Sequence, residues 1–182
     1  MIILKGGRTQ AGTKAVASHT ASLAGSQEVW EAMCRQAGAI SVSSMDELTN
    51  LMVAFCFLRP AAGFQVGLGG GGGGVSVQSA DACEEAGLSV IPLPPDLQEE
   101  LKARDPVYGH WIGNPIDSSI LGAGSFTLRY IMQLMANHPA FDLLICALDE
   151  HFSLNRPEDV PRTKQTVESF VQIGQQSPKP LI

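Results

Sequence analysis

Six consecutive glycines, Gly69 to Gly74, stand between an apolar run, Phe64 to Leu68, and a stretch of small residues, Val75 to Ala86. The apolar run reads as a strand, the small residues as a helix, and Gly87 as the left-handed residue that closes it. A glycine run between two domains would be a flexible linker. Here it joins a strand directly to a helix. Such a turn lets backbone N–H groups face one point beside the positive end of the helix dipole. A side chain in the turn would hold an anion away, and Ser76, Ser79, Ala80 and Ala82 let the helix pack closely. Gly71, Gly72, Gly73 and Gly74 are therefore the candidate phosphate-binding residues. No Lys-Ser/Thr pair follows, so this is not a P-loop, and the run obscures any dinucleotide fingerprint.

Strands alternate with helices on both sides of this feature. Ile2 to Leu4, Ala39 to Val42, Phe64 to Leu68, Leu88 to Ile91, Phe141 to Leu148 and Pro180 to Ile182 read as strands. Gln27 to Gln36, Ser44 to Leu58, Asp96 to Arg104, Ser125 to Asn137 and Pro161 to Gly174 read as helices. Ser44 and Glu47 form a capping box. Gly6 to Ser26 reads as a polar loop, and Asp105 to Ser119 as an irregular connection. Continuous apolar strands such as Leu143 to Leu148 fit a parallel sheet covered on both faces. The fold class is α/β, a flavodoxin-like three-layer α/β/α with a parallel sheet, preceded by a partial second α/β unit. Arg59-Pro60-Ala61-Ala62-Gly63 marks the boundary, giving domains 1–60 and 61–182. The first strand starts at residue 1 and the last stops at residue 182, as expected of an internal fragment of a longer protein.

Composition narrows the partners. A net charge of −6 with scattered Lys and Arg argues against nucleic acid. No apolar run reaches the length of a membrane span. Cys34, Cys56, Cys83 and Cys146 are far apart and lie in apolar stretches, which predicts buried reduced thiols and a cytoplasmic protein. No metal site is expected. Asp149-Glu150-His151 is too tightly spaced to close on one ion. His110 reads as structural, and His138 as a residue at a helix end.

One histidine has a different setting. His19 lies among Ser18, Thr20, Ala21 and Ser22, in a loop that leaves a strand end, where α/β sites form. Small neighbours leave room for attack on a phosphoryl group, and imidazole is nucleophilic near neutral pH. A transferred phosphate would then need fixed N–H donors of the kind a glycine-started helix supplies.

Three stretches occurring in order now resemble a known family. They are Leu4-Lys5-Gly6-Gly7-Arg8-Thr9 through Ser18-His19-Thr20-Ala21-Ser22-Leu23-Ala24-Gly25-Ser26; the glycine run ahead of Ser79-Ala80-Asp81-Ala82-Cys83-Glu84-Glu85-Ala86-Gly87-Leu88; and Gly113-Asn114-Pro115-Ile116-Asp117. Together they resemble the NDP-forming acyl-CoA synthetases, the succinyl-CoA synthetase superfamily, over about residues 4 to 148.

The resemblance implies that His19 is the phosphorylated histidine, with Ser18 and Thr20 beside it. It implies that the Gly71 to Gly74 helix start binds the phosphate of that phosphohistidine, and that Asn114 and Asp117 are adjacent to the site. The implied reaction converts acyl-CoA, NDP and phosphate to carboxylate, CoA and NTP through an acyl phosphate and a phosphohistidine. Thr20-Ala21 replaces the family's usual Thr-Gly, and the glycine run is longer and lacks the frequent proline. The CoA-binding Rossmann domain, the ATP-grasp domain and the glutamate that orients the phosphohistidine are not in this chain. CoA, NTP or NDP and Mg are thus expected in the parent enzyme and not on this segment. Its partners are expected to be the remaining domains or subunits and phosphate or a similar anion. Exposed apolar edges of the partial first unit predict a homo-oligomer. The competing reading is a non-catalytic flavodoxin-like module that binds an anion or a subunit.

Overall fold

The computed structural model describes residues 1–20, 25–121, 125–148 and 158–182, with Thr20 by its backbone alone. The chain divides into two compact units, Met1–Leu58 and Arg59–Ile182.

The first unit carries a parallel pair, β1 (Ile2–Leu4) and β2 (Ile40–Val42), with Ile2 opposite Ile40 and Leu4 opposite Val42. Two helices, α1 (Gln10–Thr20) and α2 (Gln27–Ala37), lie between the strands in sequence, and α3 (Met45–Phe57) follows β2. Much of the stretch read as a polar loop is therefore helix. Its signal is chemical and not periodic. Thr9 caps α1, its Oγ1 accepting from Gly12 N at 3.1 Å. The Thr13 hydroxyl donates to Gly7 O at 3.0 Å. Ala11, Lys14, Ala15 and Ala17 favour helix, yet no apolar stripe marks a buried face.

The later caps follow the sequence closely. Ser26 Oγ accepts from Val29 N at 3.1 Å. Gly38, at φ +60°, ends α2 in the left-handed conformation. Ser44 Oγ accepts from Glu47 N at 3.1 Å, and the Glu47 carboxylate accepts from Ser43 N at 2.7 Å. The box thus closes one residue earlier than the usual pattern. These bonds from Ser43 hold the Glu47 carboxyl below its ordinary range.

The core of the first unit is small: among the described residues, Cys34 and Val42 are its buried apolar ones. Helix α3 has no buried residue, and Met52, Phe55 and Phe57 are exposed. Met1, Ile2, Ile40, Leu48, Met52 and Phe55 line an open apolar depression of about 390 Å³. Cys56 on the same helix is exposed. The expectation of four buried thiols therefore fails at that position, because α3 turns this side to solvent.

In the second unit, β3 (Val66–Gly70) and β4 (Leu143–Ala147) pair in parallel, Val66 opposite Leu143 through Gly70 opposite Ala147. Single parallel bridges extend the sheet. Gln65 meets Ser89 and Gly69 meets Ile116 at β3, and Leu144 meets Leu181 at β4. The expected strand at Leu88 to Ile91 is thus one bridge. Its helices among the described residues are α4 (Gly73–Glu85), α5 (Pro95–Arg104), α6 (Ser118–Leu121), α7 (Leu128–Asn137) and α8 (Val160–Gln176).

The letters of β3 explain its layers. Val66 and Leu68 alternate with Gly67 and Gly69. Val66, Leu68 and Leu143 form a core cluster with Cys83 of α4. On the other face, a Cβ on Gly69 would lie 3.0 Å from Leu128 Cδ1 and Met132 Sδ of α7. The glycines let α7 close on the sheet, where Met132, Met135, Phe141, Leu144, Phe170 and Ile173 join the larger core. Both faces are covered, which is the three-layer flavodoxin-like arrangement.

Candidate functional site

The six glycines do not form one loop. Gly69 and Gly70 are the last, buried residues of β3. Gly71 turns the chain at φ +66°. Gly72 is the N-cap of α4, and Gly73 and Gly74 form its first turn. The strand is as long as its apolar letters suggested but lies two residues further on, ending at Gly70, and the helix starts two residues earlier. At the far end, Gly87 N donates to Glu84 O and Leu88 N to Cys83 O, at 3.0 and 2.9 Å, closing α4 as a Schellman motif.

The six positions have different steric needs. Gly70 has φ +101°, and a Cβ there would strike the carbonyl oxygen of Ala147. A Cβ on Gly71 would press on Val75. By contrast, a Cβ on Gly72 or Gly74 would meet nothing within 4 Å. Packing among the described residues gives these two positions no reason to be glycine. The first hydrogen bond of α4 runs from Ser76 N to Gly72 O at 3.0 Å. The amides of Gly73, Gly74 and Val75 precede it and have no intrahelical acceptor. Among the described residues, the mouth of α4 therefore has open space, first-turn amides without an acceptor and the positive end of a 13-residue helix.

The segment 114–119 is fastened along this turn. Ile116 N donates to Leu68 O at 2.8 Å, Gly70 N to Ile116 O at 3.2 Å and Ser118 N to Gly71 O at 3.0 Å. Asp117 is brought to the mouth: its Oδ2 lies 3.0 Å from the place a Gly73 Cβ would take. Its Oδ1 accepts from Ser119 N and Oγ at 2.8 and 2.6 Å. Asn114 is placed differently. Its Nδ2 donates to Val66 O and Ile91 O at 2.8 and 2.7 Å, and its Oδ1 accepts from Leu68 N at 2.8 Å. All of that hydrogen bonding is spent on backbone, so Asn114 is a clamp and presents none of it to a ligand.

Residues 66–157 match the Ligase-CoA domain, and residues 1–55 match the succinyl-CoA ligase like flavodoxin domain. The chain belongs to the Ligase-CoA family. The chain resembles part of the ADP-forming acetate–CoA ligase II of Archaeoglobus fulgidus, with 37% identity over 117 residues, or 64% of this chain and 17% of the relative. The alpha subunit of the ADP-forming acetate–CoA ligase I of Pyrococcus furiosus is 36% identical over 142 residues, 76% of this chain and 29% of that subunit. Among solved structures, the dinucleotide-forming acetyl-coenzyme A synthetase 1 of Candidatus Korarchaeum cryptofilum, in complex with phosphate and ADP, superposes with a TM-score of 0.72 at 29% identity. That match covers 99% of this chain and 37% of the synthetase. The chain thus spans well under half the length of these relatives.

Within this Ligase-CoA protein the other expected site residues lie as follows. His19 is exposed in the last turn of α1, not in a loop. Ser18 beside it is exposed and donates to Ala15 O at 2.9 Å, an ordinary helical bond. Thr20 ends the helix. The following residues 21–24, like Asp149-Glu150-His151, lie outside the described ones. His110 is exposed. His138 caps α7 and connects it to α5: its Nδ1 accepts from Ala140 N at 3.1 Å and its Nε2 lies 3.0 Å from Asp96 Oδ2. Among the described residues no group of three His, Cys, Asp or Glu could hold a metal, and no helix is long and apolar enough to cross a membrane.

Two groups at the mouth carry no flag in the sequence. Ser76 and Ser118 have buried hydroxyls with no hydrogen-bond partner among the described residues. By letter, Ser76 is one of the small residues that let α4 pack closely and Ser118 part of the irregular connection, and only their place beside the glycine turn distinguishes them.

Proposed function

We propose that this chain is the phosphoryl-carrying and oxyanion-binding part of an ADP-forming acyl-CoA ligase. The observation that carries the reading is the mouth of α4, open at Gly72 and Gly74 with unused first-turn amides. In this reading, a phosphate oxygen attacks the acyl-CoA carbonyl, forming an acyl phosphate and releasing CoA as its thiol. The His19 imidazole then attacks phosphorus, the P–O bond to the acyl group breaks, and the carboxylate leaves. The phosphoryl group finally passes from His19 to the nucleoside diphosphate. The α4 amides are the seat for an oxyanion of this sequence. There they offset negative charge without reorganising. CoA, nucleotide and Mg are handled by the other domains or subunits.

Full-length chain mixed with the remaining parts of a related synthetase, acetyl-CoA and labelled phosphate tests this. The expected result is an acid-labile, base-stable label that drops at least about 100-fold in His19→Ala, as befits loss of a covalent nucleophile. Label that survives His19→Ala, or no label on the wild-type chain, defeats the reading.

The apolar depression of the first unit supports a second part of the proposal, self-association. That unit carries four basic residues (Lys5, Arg8, Lys14, Arg35) and four acidic ones (Glu28, Glu31, Asp46, Glu47), a net charge of zero. Two copies can therefore meet without net repulsion across this face, and each two-stranded sheet gains a neighbour. Light scattering should show a dimer that Phe55→Glu splits. A monomer at every concentration tested would exclude it.

A further inference from the structure

Resting on the reading of the α4 mouth as an oxyanion seat, we infer that Asp117 makes the seat selective for an oxyanion that still carries a proton, hydrogen phosphate over sulfate. Three features meet there. The first is the set of amides of Gly73, Gly74 and Val75, which can only donate. The second is a pair of hydroxyls shut away from solvent. Ser76 is 7% exposed, and among the described residues neither its Oγ nor Ser118 Oγ has a partner. Ser76 lies one turn inside α4 and is one of its buried residues, and helical side chains lean toward the N-terminal end where the mouth is. Buried hydroxyls are nearly always bonded in folded proteins, and an orphan pair beside an open helix start marks an absent partner. The third is Asp117 Oδ2, set against Gly73. Its sister oxygen is held by Ser119, and Oδ2 has no donor among the described residues.

A carboxylate oxygen only accepts. A dianion without hydrogen would place one of its own oxygens against it and be repelled. A hydrogen phosphate dianion of similar size and the same charge turns its O–H to Asp117 Oδ2 and its bare oxygens to the amides and hydroxyls. The seat then distinguishes two tetrahedral anions by one proton. A site built around a particular hydrogen-bonding group rejects the analogue that lacks it.

The test uses the full-length chain labelled with ¹⁵N, titrated separately with inorganic phosphate and sulfate at about pH 8, where phosphate is mainly the hydrogen phosphate dianion. The amide shifts of Gly73, Gly74 and Val75 are followed at matched ionic strength. Phosphate is expected to bind about tenfold or more tightly than sulfate. Asp117→Asn keeps an oxygen for Ser119 and replaces Oδ2 with a donor. It should bring the two affinities within about twofold, mainly by tightening sulfate. Gly74→Val, which fills the open space, should weaken both anions. A purely structural role for Asp117 as a helix-dipole partner would lower the melting temperature of Asp117→Asn and leave the anion ratio unchanged, which overturns the inference. Equal affinities in the wild-type chain overturn it too while leaving the seat intact. Absence of any shift with either anion overturns the seat and the inference together.

Discussion

Gly70→Ala should cost the second unit about 4 kcal/mol or more, while Gly74→Ala, four residues on, should stabilise it by about 0.5–1 kcal/mol. The opposite signs follow from backbone geometry. Gly70 sits at φ +101°, outside the conformations an L residue adopts easily, and its Cβ would land on the Ala147 carbonyl. The strand cannot slide away. Gly70 is in register with Ala147 on one side and donates to Ile116 O on the other. Against a typical domain stability of about 5–15 kcal/mol, that loss leaves little. Gly74 is helical with open space around it, so a methyl group there lowers the entropy of the unfolded chain without a clash. Thermal melts and urea titrations of the two variants measure the contrast. If the mouth of α4 is the proposed oxyanion seat, Gly74→Ala should also weaken phosphate binding, because its methyl group enters the open space there. A Gly70→Ala chain as stable as wild type would show that β3 does not continue through the glycines.

The same contrast shows what the sequence made readable. Caps and closures are local chemistry, and Ser44-Glu47 and Gly87 could be read from neighbouring letters. A run of identical glycines has no internal marker. The division into strand, turn and helix is set by Ala147 and Ile116, partners distant in sequence. The α1 helix was hidden for another reason: it buries no described side chain, so periodicity had nothing to report. The ends of the sheet were overread. Leu88 to Ile91 has strand composition, but the chain makes one bridge there before turning toward α5. The α/β class was legible because alternation of strands and helices survives such boundary errors. His19 reads as part of a loop, and the structure puts it in the last turn of α1. The contributions of Ser76, Ser118 and Asp117 could not be weighed, since each depends on which groups the fold leaves unpaired.

Asn114 shows why a family motif residue need not be a ligand. Asn114→Ala should destabilise the second unit by about 3–5 kcal/mol, from three backbone groups losing their partners at about 1–3 kcal/mol each, partly restored by water. Two of those groups belong to Val66 and Leu68, which are 0% and 1% exposed in β3. Asn114→Asp sharpens the argument. It keeps an acceptor for Leu68 N but sets a carboxylate oxygen against the carbonyls of Val66 and Ile91, where Nδ2 now donates to both. Those carbonyls favour the protonated acid, so the introduced carboxyl should have a folded-state pKa above its unfolded value of about 4. The sign is then fixed. The folded state binds the proton more tightly, so the variant is relatively most stable below the unfolded pKa and loses that stability as pH rises through the folded one. Urea midpoints from about pH 3 to 8, each taken as the difference from wild type, should fall with rising pH for Asn114→Asp and stay flat for Asn114→Ala. If both variants lose phosphate binding with midpoints unchanged, Asn114 touches the anion directly. If binding falls only in step with stability, its work is to hold the segment that carries Asp117 against the glycine turn.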